Sequence, residues 1–369
     1  MFDFFNLKEK AFGLDISDKS LKIINLKQAD SRLYLDSYGE KKILQGVVEG
    51  GIVKNEEALI KSIKEACSEA KGNKLGTKMV IASLPEEKAF LQVIQMPKIN
   101  DEDLATAVRY EAVNYIPMPI DQMCLDFKIV KPLSDHLDHV DILLVAFPKD
   151  VVQSYVNAIK GAGLTPLALE IESQAIARAI IKNDVSPTPV FIIELGATRT
   201  SFIIYSGHSV RFTSSIPFSS GQFTEAIARK INVDIDRAEQ LKTEYGLSDW
   251  GGEYGKLVFE SLVPGLCELV DQVKSHIRYY QTHSDHEHLL TGGQGISKII
   301  LCGGGANLKG LTEHLSQQLL ISVEIGNPWV NILKDNPEEI PALAYNESLS
   351  YIAALGLALR GVKLHSNIV

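Results

Sequence analysis

Two short stretches of the sequence place an acidic residue directly before a tight polar turn between two runs of β-forming residues. The acids are Asp15 and Glu194, which are 179 positions apart. A third run typical of a β-strand follows each stretch, over residues 32–37 and 208–216. Two antiparallel units of the same order indicate an internal repeat, although two unrelated hairpins are the alternative.

The first turn combines residue types that can bind a phosphate group. Ser17 is the small residue at the tight position, Ser20 offers a hydroxyl, and Lys22 returns on the neighbouring strand. Small residues let backbone N–H groups approach a phosphate, and a lysine can neutralise a β- or γ-phosphate as a point charge. These three residues therefore form a candidate phosphate loop.

The second turn has a similar composition. Gly196 and Ala197 supply the small residues, and Thr198 and Thr200 supply hydroxyls. Each turn by itself is also typical of an ordinary β-hairpin, so neither one alone predicts a phosphate site.

The acids before the turns could hold a metal ion. Mg²⁺ prefers oxygen ligands and keeps much of its hydration, so we expect Asp15 and Glu194 to contact it through water. Glu194 is also a candidate catalytic residue.

A third candidate site follows a short run of apolar residues, 298–302, which is typical of a buried strand. Glycines between this strand and a helix would let a flat ring lie against bare backbone, with the helix N-terminus facing the ligand. A tight strand-to-helix crossing that needs a positive φ angle is the alternative. The candidate adenine site consists of Gly303, Gly304, Gly305, Ala306 and Asn307. Neither a P-loop nor a dinucleotide-binding glycine pattern occurs in the sequence.

Helical patterns fill the spaces between the predicted strands. Asn55, Asp101 and Asp150 are predicted N-caps of three helices, and a longer helix is predicted over residues 262–280. Residues of about 78–149 interrupt the first repeat and predict a small α+β insertion. The alternation of strands and helices indicates mixed α/β domains.

The composition limits the class of protein. A chain of 369 residues favours two domains. The net charge of −9 argues against a nucleic-acid partner or an anionic membrane surface. Four scattered cysteines without a C-x-x-C pair favour reduced thiols in the cytoplasm. No apolar run approaches the ~18 residues of a membrane-spanning helix, so direct membrane insertion is not expected.

The two turns and the glycine-rich segment, in this order, resemble the actin/Hsp70/sugar-kinase superfamily. Residues 172–179 resemble its first connecting segment, residues 350–360 its second connecting helix, and residues 238–242 the segment whose Glu and Lys face the adenosine. The resemblance implies an α/β actin-like ATPase fold of two duplicated RNase H-like domains. It also implies that ATP and Mg²⁺ lie in a cleft between them.

Further residues and boundaries are implied by the same resemblance. Glu172 would position the hydrolytic water, Glu239 and Lys242 would face the adenosine, and Gly221 joins the candidate nucleotide-binding residues. The implied domains are residues 1–187 plus 345–369, with the insertion, and residues 188–344, with a helical subdomain at about 222–288.

Within this superfamily the sequence resembles the PilM family of type IV pilus assembly proteins. The residues that carry this resemblance are 110–119, which read YEAVNYIPMP, and 124–127, which read CLDF. The resemblance implies a cytoplasmic, ATP-binding scaffold that is peripheral to the inner membrane and contacts other proteins of the pilus assembly platform. It also implies that the N-terminal cytoplasmic tail of a PilN-like inner-membrane protein lies in a groove between the first repeat and the insertion.

Two positions depart from the superfamily pattern. Ser17 stands where glycine is preferred, and Glu194 where aspartate is usual. Catalysis depends on sub-ångström placement of metal and water, so we expect ATP binding with slow hydrolysis at most. The alternative function is a sugar or carboxylate kinase of the same superfamily, which would need a base for an acceptor hydroxyl. No clear Asp-centred acceptor signature is found.

Overall fold

A computed structural model describes residues 10–29, 32–133, 138–248, 251–283, 295–333 and 341–366. The described chain opens with three antiparallel strands, a short hairpin, a helix and two further strands, numbered here in chain order. They are β1 (Phe12–Ile16), β2 (Ser20–Ala29), β3 (Arg32–Lys42), β4 (Val48–Glu49), β5 (Ile52–Val53), α1 (Glu56–Ser68), β6 (Lys71–Gly72) and β7 (Met79–Leu84).

The insertion forms a three-stranded antiparallel sheet covered by one helix. Its strands pair in the order β8-β10-β9, and α2 packs Val108 against Ile142 and Leu144 of β10 in a separate core. The unit occupies residues 90–148, so the predicted start at about 78 is too early, because β7 (Met79–Leu84) pairs with β1 in the main sheet. Its elements are β8 (Phe90–Pro97), α2 (Asp101–Ala112), β9 (Met123–Ile129) and β10 (His139–Pro148).

The first half is completed by a helix, a strand and a second helix. The full sheet has the order β11-β7-β1-β2-β3-β6. The three elements are α3 (Lys149–Gly161), β11 (Thr165–Ile171) and α4 (Glu172–Ile180).

The predicted N-caps are correct at one position and wrong at two. The side chain of Asn55 accepts the N–H of Ala58 at 3.0 Å and so caps α1. The helices α2 and α3 start at Asp101 and Lys149, so that Asp101 and Asp150 lie in the first turn instead. An acidic residue is also favourable there because of the helix dipole.

The second half contains five strands in the order β14-β13-β12-β15-β16, and β12 and β13 are buried along nearly their whole length. Its helix α7 extends beyond the predicted residues 262–280, because Val258 continues the buried face of the helix. The predicted helical subdomain at 222–288 includes residues 249–250 and 284–288, which lie outside the described residues. The elements are β12 (Ser186–Leu195), β13 (Thr200–Gly207), β14 (Ser209–Ile216), α5 (Ser220–Ile231), α6 (Ile235–Tyr245), α7 (Gly255–His283), β15 (Lys298–Cys302), α8 (Leu311–Leu319) and β16 (Val323–Ile325).

The two sheets confirm the internal repeat. In the first, β1, β2 and β3 are antiparallel neighbours, β7 pairs with β1 in parallel, and β11 pairs with β7 in parallel. In the second, β12, β13 and β14 are antiparallel, and β15 and β16 add to β12 in parallel. The domain limits stay a prediction, and β12 begins at Ser186, two residues before the predicted start of the second domain.

The chain then returns to the first half through α9 (Tyr345–Ser348) and α10 (Ile352–Ser366). Here α10 packs closely on α4, because a Cβ at Gly356 would lie only 1.8 Å from the carbonyl oxygen of Ala175. It also covers β1, where a Cβ at Gly13 would lie 2.3 Å from the carbonyl oxygen of Ala354. Among the described residues, none of the helices combines the length and apolar character needed to cross a bilayer.

Candidate nucleotide-binding site

A cleft of about 870 Å³ lies between the two halves, where the β1–β2 turn faces the β12–β13 turn. Such a volume suits a small-molecule ligand. The structure brings ten of the predicted site residues together in the wall of this cleft. They are Asp15, Ser17, Ser20, Lys22, Glu172, Glu194, Gly196, Ala197, Thr198 and Gly304.

The first turn is closed by its own serines. The backbone N–H and the hydroxyl of Ser17 both donate to the carbonyl oxygen of Ser20, at 3.0 and 2.9 Å. The N–H of Ser20 donates in return to the Ser17 hydroxyl at 3.2 Å. Lys22 donates to the Ser20 hydroxyl at 3.1 Å and lies 3.7 Å from Glu40. The ammonium group of Lys22 is therefore held beside the turn.

The second turn is closed by backbone alone. The N–H of Gly196 donates to the carbonyl oxygen of Arg199 at 3.0 Å, and the carbonyl of Gly196 accepts the N–H of Ser220 at 2.9 Å. Thr200 does not reach the cleft, because it is fully buried and its hydroxyl donates to the carbonyl of Phe218 at 2.8 Å. Of the two predicted threonines, only Thr198 faces the cavity.

Three carboxyl groups lie at the floor of the cleft, where Asp15 is buried and Glu172 and Glu194 are half-buried. Burial and the charge of Asp15 raise the pKa of Glu194 to about 7, against the opposing effects of Lys22 and Arg199. Burial also raises the pKa of Asp15, against the effects of Lys22 and of the Ser83 hydroxyl, which donates to Asp15 at 2.9 Å. The pKa of Glu172 lies well above its ordinary value, through burial and the charges of Asp15, Glu87 and Glu194. The floor is therefore an electronegative site that a bound cation would stabilise.

The arrangement of these acids fits a hydrated metal ion. Across the described parts of the chain, no three His, Cys, Asp or Glu side chains come close enough to hold a metal ion directly. The charge of Asp15, which is buried, nevertheless raises the pKa of the half-buried Glu194. This donor set suits Mg²⁺, which takes most of its ligands from water and phosphate in such sites.

The glycine-rich segment is only partly open to the cleft. Gly304 lines the cavity, and a Cβ there would lie 3.7 Å from Ser350, in ordinary contact. Gly303 has a φ of +81°, and a Cβ there would lie 2.6 Å from a carboxylate oxygen of Glu194. A Cβ at Gly305 would lie 2.5 Å from the Leu195 side chain. Gly303 and Gly305 thus allow this segment to pack closely on Glu194 and Leu195 at the end of β12. For these two glycines the structure favours the alternative of a tight strand-to-helix crossing over contact with a ligand ring.

The other residues of this segment point away from the cavity. Ala306 is buried in the core of the second half. The Asn307 amide donates to the carbonyl oxygens of Gly304 and Asn346, at 3.3 and 2.9 Å. Asn307 therefore stabilises the loop that presents Gly304.

Gly221, Glu239 and Lys242 lie behind the wall of the cleft. A Cβ at Gly221 would lie 2.7 Å from the carbonyl oxygen of Ala197, so this glycine lets α5 approach the second turn. Lys242 pairs with Glu239 at 2.7 Å and donates to the carbonyl of Ser220, which lines the cavity, at 3.3 Å. Lys242 and Glu239 are linked to the cleft through Ser220.

Eight charged residues of the cleft wall were not predicted from the sequence. The three whose contacts shape the wall are Asp18, Glu87 and Arg199. The Asp18 carboxylate accepts the N–H groups of Gly50 and Gly51 at 3.0 and 3.1 Å, and Arg199 forms an ion pair with Glu87 across the cleft. Asp18 and Arg199 belong to the two turns, but their partners are distant in the sequence, so no local pattern could show these contacts.

A second cavity, of about 530 Å³, runs along the outer edge of β9, and we call it the groove. Cys124, Asp126 and Lys128 face it as register partners of Phe147, Val145 and Leu143 of β10. The intervening residues of β9 line it as well, so the groove follows the strand edge, which has no further strand beside it in the described sheet. The opposite wall comes from both halves, with Leu169, Ile171, Gln174 and Arg178 from the first and Tyr205 and Val210 from the second.

Comparison with known proteins decides the family. The model of the type IV pilus assembly protein PilM matches residues 13–362, which is nearly the whole chain. The chain belongs to the PilM family. The structure of a PilM–PilN type IV pilus biogenesis complex is similar with a TM-score of 0.77 at 28% identity, covering 96% of this chain and 98% of that one.

Two further relatives agree with the fold. The cell division protein FtsA of Enterococcus hirae is 25% identical over 346 residues, which covers 86% of this chain and 78% of FtsA. MreB5 of Spiroplasma citri bound to ADP has a TM-score of 0.57 at 13% identity, with 98% of both chains covered, and shows the fold alone. The predicted actin-like α/β fold is confirmed.

Proposed function

We propose that this PilM-family protein is a cytoplasmic scaffold of the type IV pilus inner-membrane assembly platform. It binds Mg-ATP in the cleft and holds the N-terminal cytoplasmic tail of a PilN-like membrane protein in the groove. Other platform proteins contact the same scaffold, which stays peripheral to the membrane through its partner. The observation that carries the proposal is the groove, because its walls come from the insertion and from both halves that enclose the cleft.

The cleft supports ATP through the two turns and the acids below them. Lys22 and the turn residues Ser17, Gly196 and Thr198 would hold the phosphates, and Asp15 and Glu194 would hold Mg²⁺ through water. When bound, the metal neutralises phosphate charge. Gly304 and Ser220 border the adenosine side. These residues bind and orient the ligand.

Slow turnover follows from the state of Glu172. Burial and the charges of Asp15, Glu87 and Glu194 raise its pKa, which disfavours the ionised carboxylate that would accept a proton from water. A bound cation would oppose this effect by favouring the ionised form.

The groove suits an extended peptide. Its floor is formed by apolar side chains of β10, and the outer edge of β9 offers backbone N–H and C=O groups for an added strand. Strand addition of this kind obtains affinity from main-chain hydrogen bonds and specificity from pockets for alternate side chains. Because Tyr205 and Val210 of the second half also line the groove, closure of the cleft would change its width.

Calorimetry on the full chain with a PilN-like N-terminal peptide tests the proposal. We expect the peptide to bind, and its affinity to differ between the nucleotide-free and the Mg-ATP-loaded protein. Equal peptide affinities with and without Mg-ATP would show that the cleft and the groove are not coupled. Absent peptide binding together with rapid, acceptor-dependent ATP consumption would favour the kinase alternative.

A matched pair of variants locates the peptide. Cys124→Trp fills the groove, and we expect it to weaken peptide binding at least about tenfold, which is the scale of one lost anchor. Ile129→Trp is the control, because Ile129 is an exposed residue of the same strand outside the groove. Equal effects of both variants would place the peptide elsewhere.

A further inference from the structure

An ion pair joins the two halves directly across the cleft. Arg199 follows the second turn, and its guanidinium donates to the carboxylate of Glu87 and, through Nε, to the Ser215 hydroxyl at 2.7 Å. Glu87 belongs to the first half, in a short 3₁₀ turn at Glu86–Lys88 that follows β7. Both side chains line the cleft yet are largely shielded, with 22% and 13% of their surface exposed.

Arg199 is the one arginine among the described residues that line the cleft. The guanidinium group presents a planar fork of N–H donors that matches carboxylate and phosphate oxygens with the same geometry. A phosphate brought into the cleft would therefore compete with Glu87 for Arg199. In the nucleotide-free protein the Glu87 carboxylate occupies the anion position of this fork.

The pair lies at the acidic end of the cleft. The charge of Glu87 contributes to the raised pKa of Glu172, and the charge of Arg199 lowers the pKa of Glu194. Gly304, which borders the adenosine side, belongs to a different loop. Phosphates held between the turns would extend toward the acids, so Arg199 is placed to meet the far end of the phosphate chain.

We propose that Arg199 exchanges Glu87 for the terminal phosphate of ATP and thereby distinguishes ATP from ADP. This inference rests on the nucleotide site proposed above. ADP lacks the group that would displace Glu87, so the pair between the halves persists with ADP and opens with ATP.

The exchange has a consequence for the insertion. β8, the first strand of the inserted sheet, begins at Phe90, only three residues after Glu87. Release of Glu87 removes one of the contacts that hold the start of this strand to the second half, where β14 also packs on it. Because β8 pairs along its length with β10, which forms the floor of the groove, the nucleotide state reaches the groove through two paired strands.

Calorimetric titration of the full chain with Mg-ATP and Mg-ADP tests the exchange. We expect the wild type to bind ATP about tenfold more tightly than ADP, the effect of about one charge-assisted hydrogen bond. Arg199→Lys should remove most of this preference while ADP affinity stays within about twofold, since a lysine keeps the charge but loses the fork.

A second variant removes the competitor. Glu87→Gln should bind ATP several-fold more tightly and leave ADP nearly unchanged. Glu49→Gln is its control, because it removes an equal charge from the wall of the cleft at a residue other than the Arg199 partner. Equal gains in both variants would show a general charge effect and overturn the exchange.

Hydrogen exchange gives a readout that does not depend on affinity. Amides of residues 86–97 should exchange faster with ATP than with ADP or without nucleotide, and nucleotide-free Glu87→Gln should resemble the ATP form. No difference between ATP and ADP in affinity or exchange overturns this inference and leaves the nucleotide site standing. Failure of the wild type to bind either nucleotide overturns the proposed site as well.

Discussion

The two turns that face each other across the cleft hold equivalent places in the repeat but are stabilised in different ways. In the first, the Ser17 and Ser20 side chains close the turn, and Asp15 accepts the hydroxyl of Ser83 from the same half. The second turn is closed by its backbone, and Arg199 reaches from it to Glu87 in the other half. Duplication has preserved the path of the backbone and changed the chemistry on it.

This difference assigns separate tasks to the turns. The first is stabilised within its own half, so it can hold phosphates in the same way whether the cleft is open or closed. The second depends on contact with the other half, so it can respond to what the cleft contains. The following three experiments test this division.

The largest effect is expected from Glu194 and is seen in the free energy of unfolding. Its folded pKa of about 7 lies above the unfolded value near 4.5, so the native state keeps this proton to higher pH. The carboxyl is protonated in both states below pH 4.5, and stability falls as pH rises from there to about 7. The loss approaches about 3 kcal/mol, at 1.4 kcal/mol per pH unit.

Glu194→Gln should remove this part of the pH dependence. Urea unfolding of wild type and variant at pH 5 and pH 8, both free of metal and nucleotide, measures it. The variant should be more stable than the wild type at pH 8 and closer to it at pH 5. If the two proteins differed equally in stability at both pH values, the ionised carboxylate of Glu194 would not be what destabilises the wild type at high pH.

The next largest effect is expected at the first turn. Lys22→Ala removes the charge held beside Ser20, and ATP affinity should fall by about tenfold or more, as for loss of a charge-assisted hydrogen bond. Lys42→Ala is the matched control, because Lys42 also lines the cleft but is exposed. Titration calorimetry measures the ATP affinity of both variants. A similar loss of affinity in both would show that Lys22 makes no specific contact with a phosphate.

The smallest effect is expected from Ser17→Gly, which restores the residue that the superfamily prefers. The variant loses the hydroxyl contacts to Ser20 but keeps the backbone hydrogen bond of the turn, so ATP affinity should change by less than about threefold. A much larger gain, measured by the same titration, would mean that the serine side chain obstructs the site.

Much of the fold follows from local sequence patterns. The acid–turn–strand signal at Asp15 and Glu194 predicted both antiparallel units, and the capping role of Asn55 was correct. The end positions of helices were less accurate, because Asp101 and Asp150 favour a first turn as well as an N-cap. The extra length of α7 depends on residues such as Val258, whose burial is decided by the core of the second half.

The candidate site was predictable in its location and less so in its details. The small residues predict space for a ligand, yet the side chains of Glu194 and Leu195 on β12 occupy the space beside Gly303 and Gly305. The hydroxyl of Thr200 is used by the carbonyl of Phe218. Such contacts arise only when distant segments meet, so a single-sequence pattern contains no signal for them.

The contact between α10 and β1 limits when the first half can complete its core during translation. β1 is synthesised well before the helix that covers its outer face, which begins at Ile352. Until then, Ala11, Ile81 and Ala175 lack Leu357, the partner that completes their small apolar cluster. The strands of the second half, the last of which is β16, are therefore all synthesised before the helix that completes the first half.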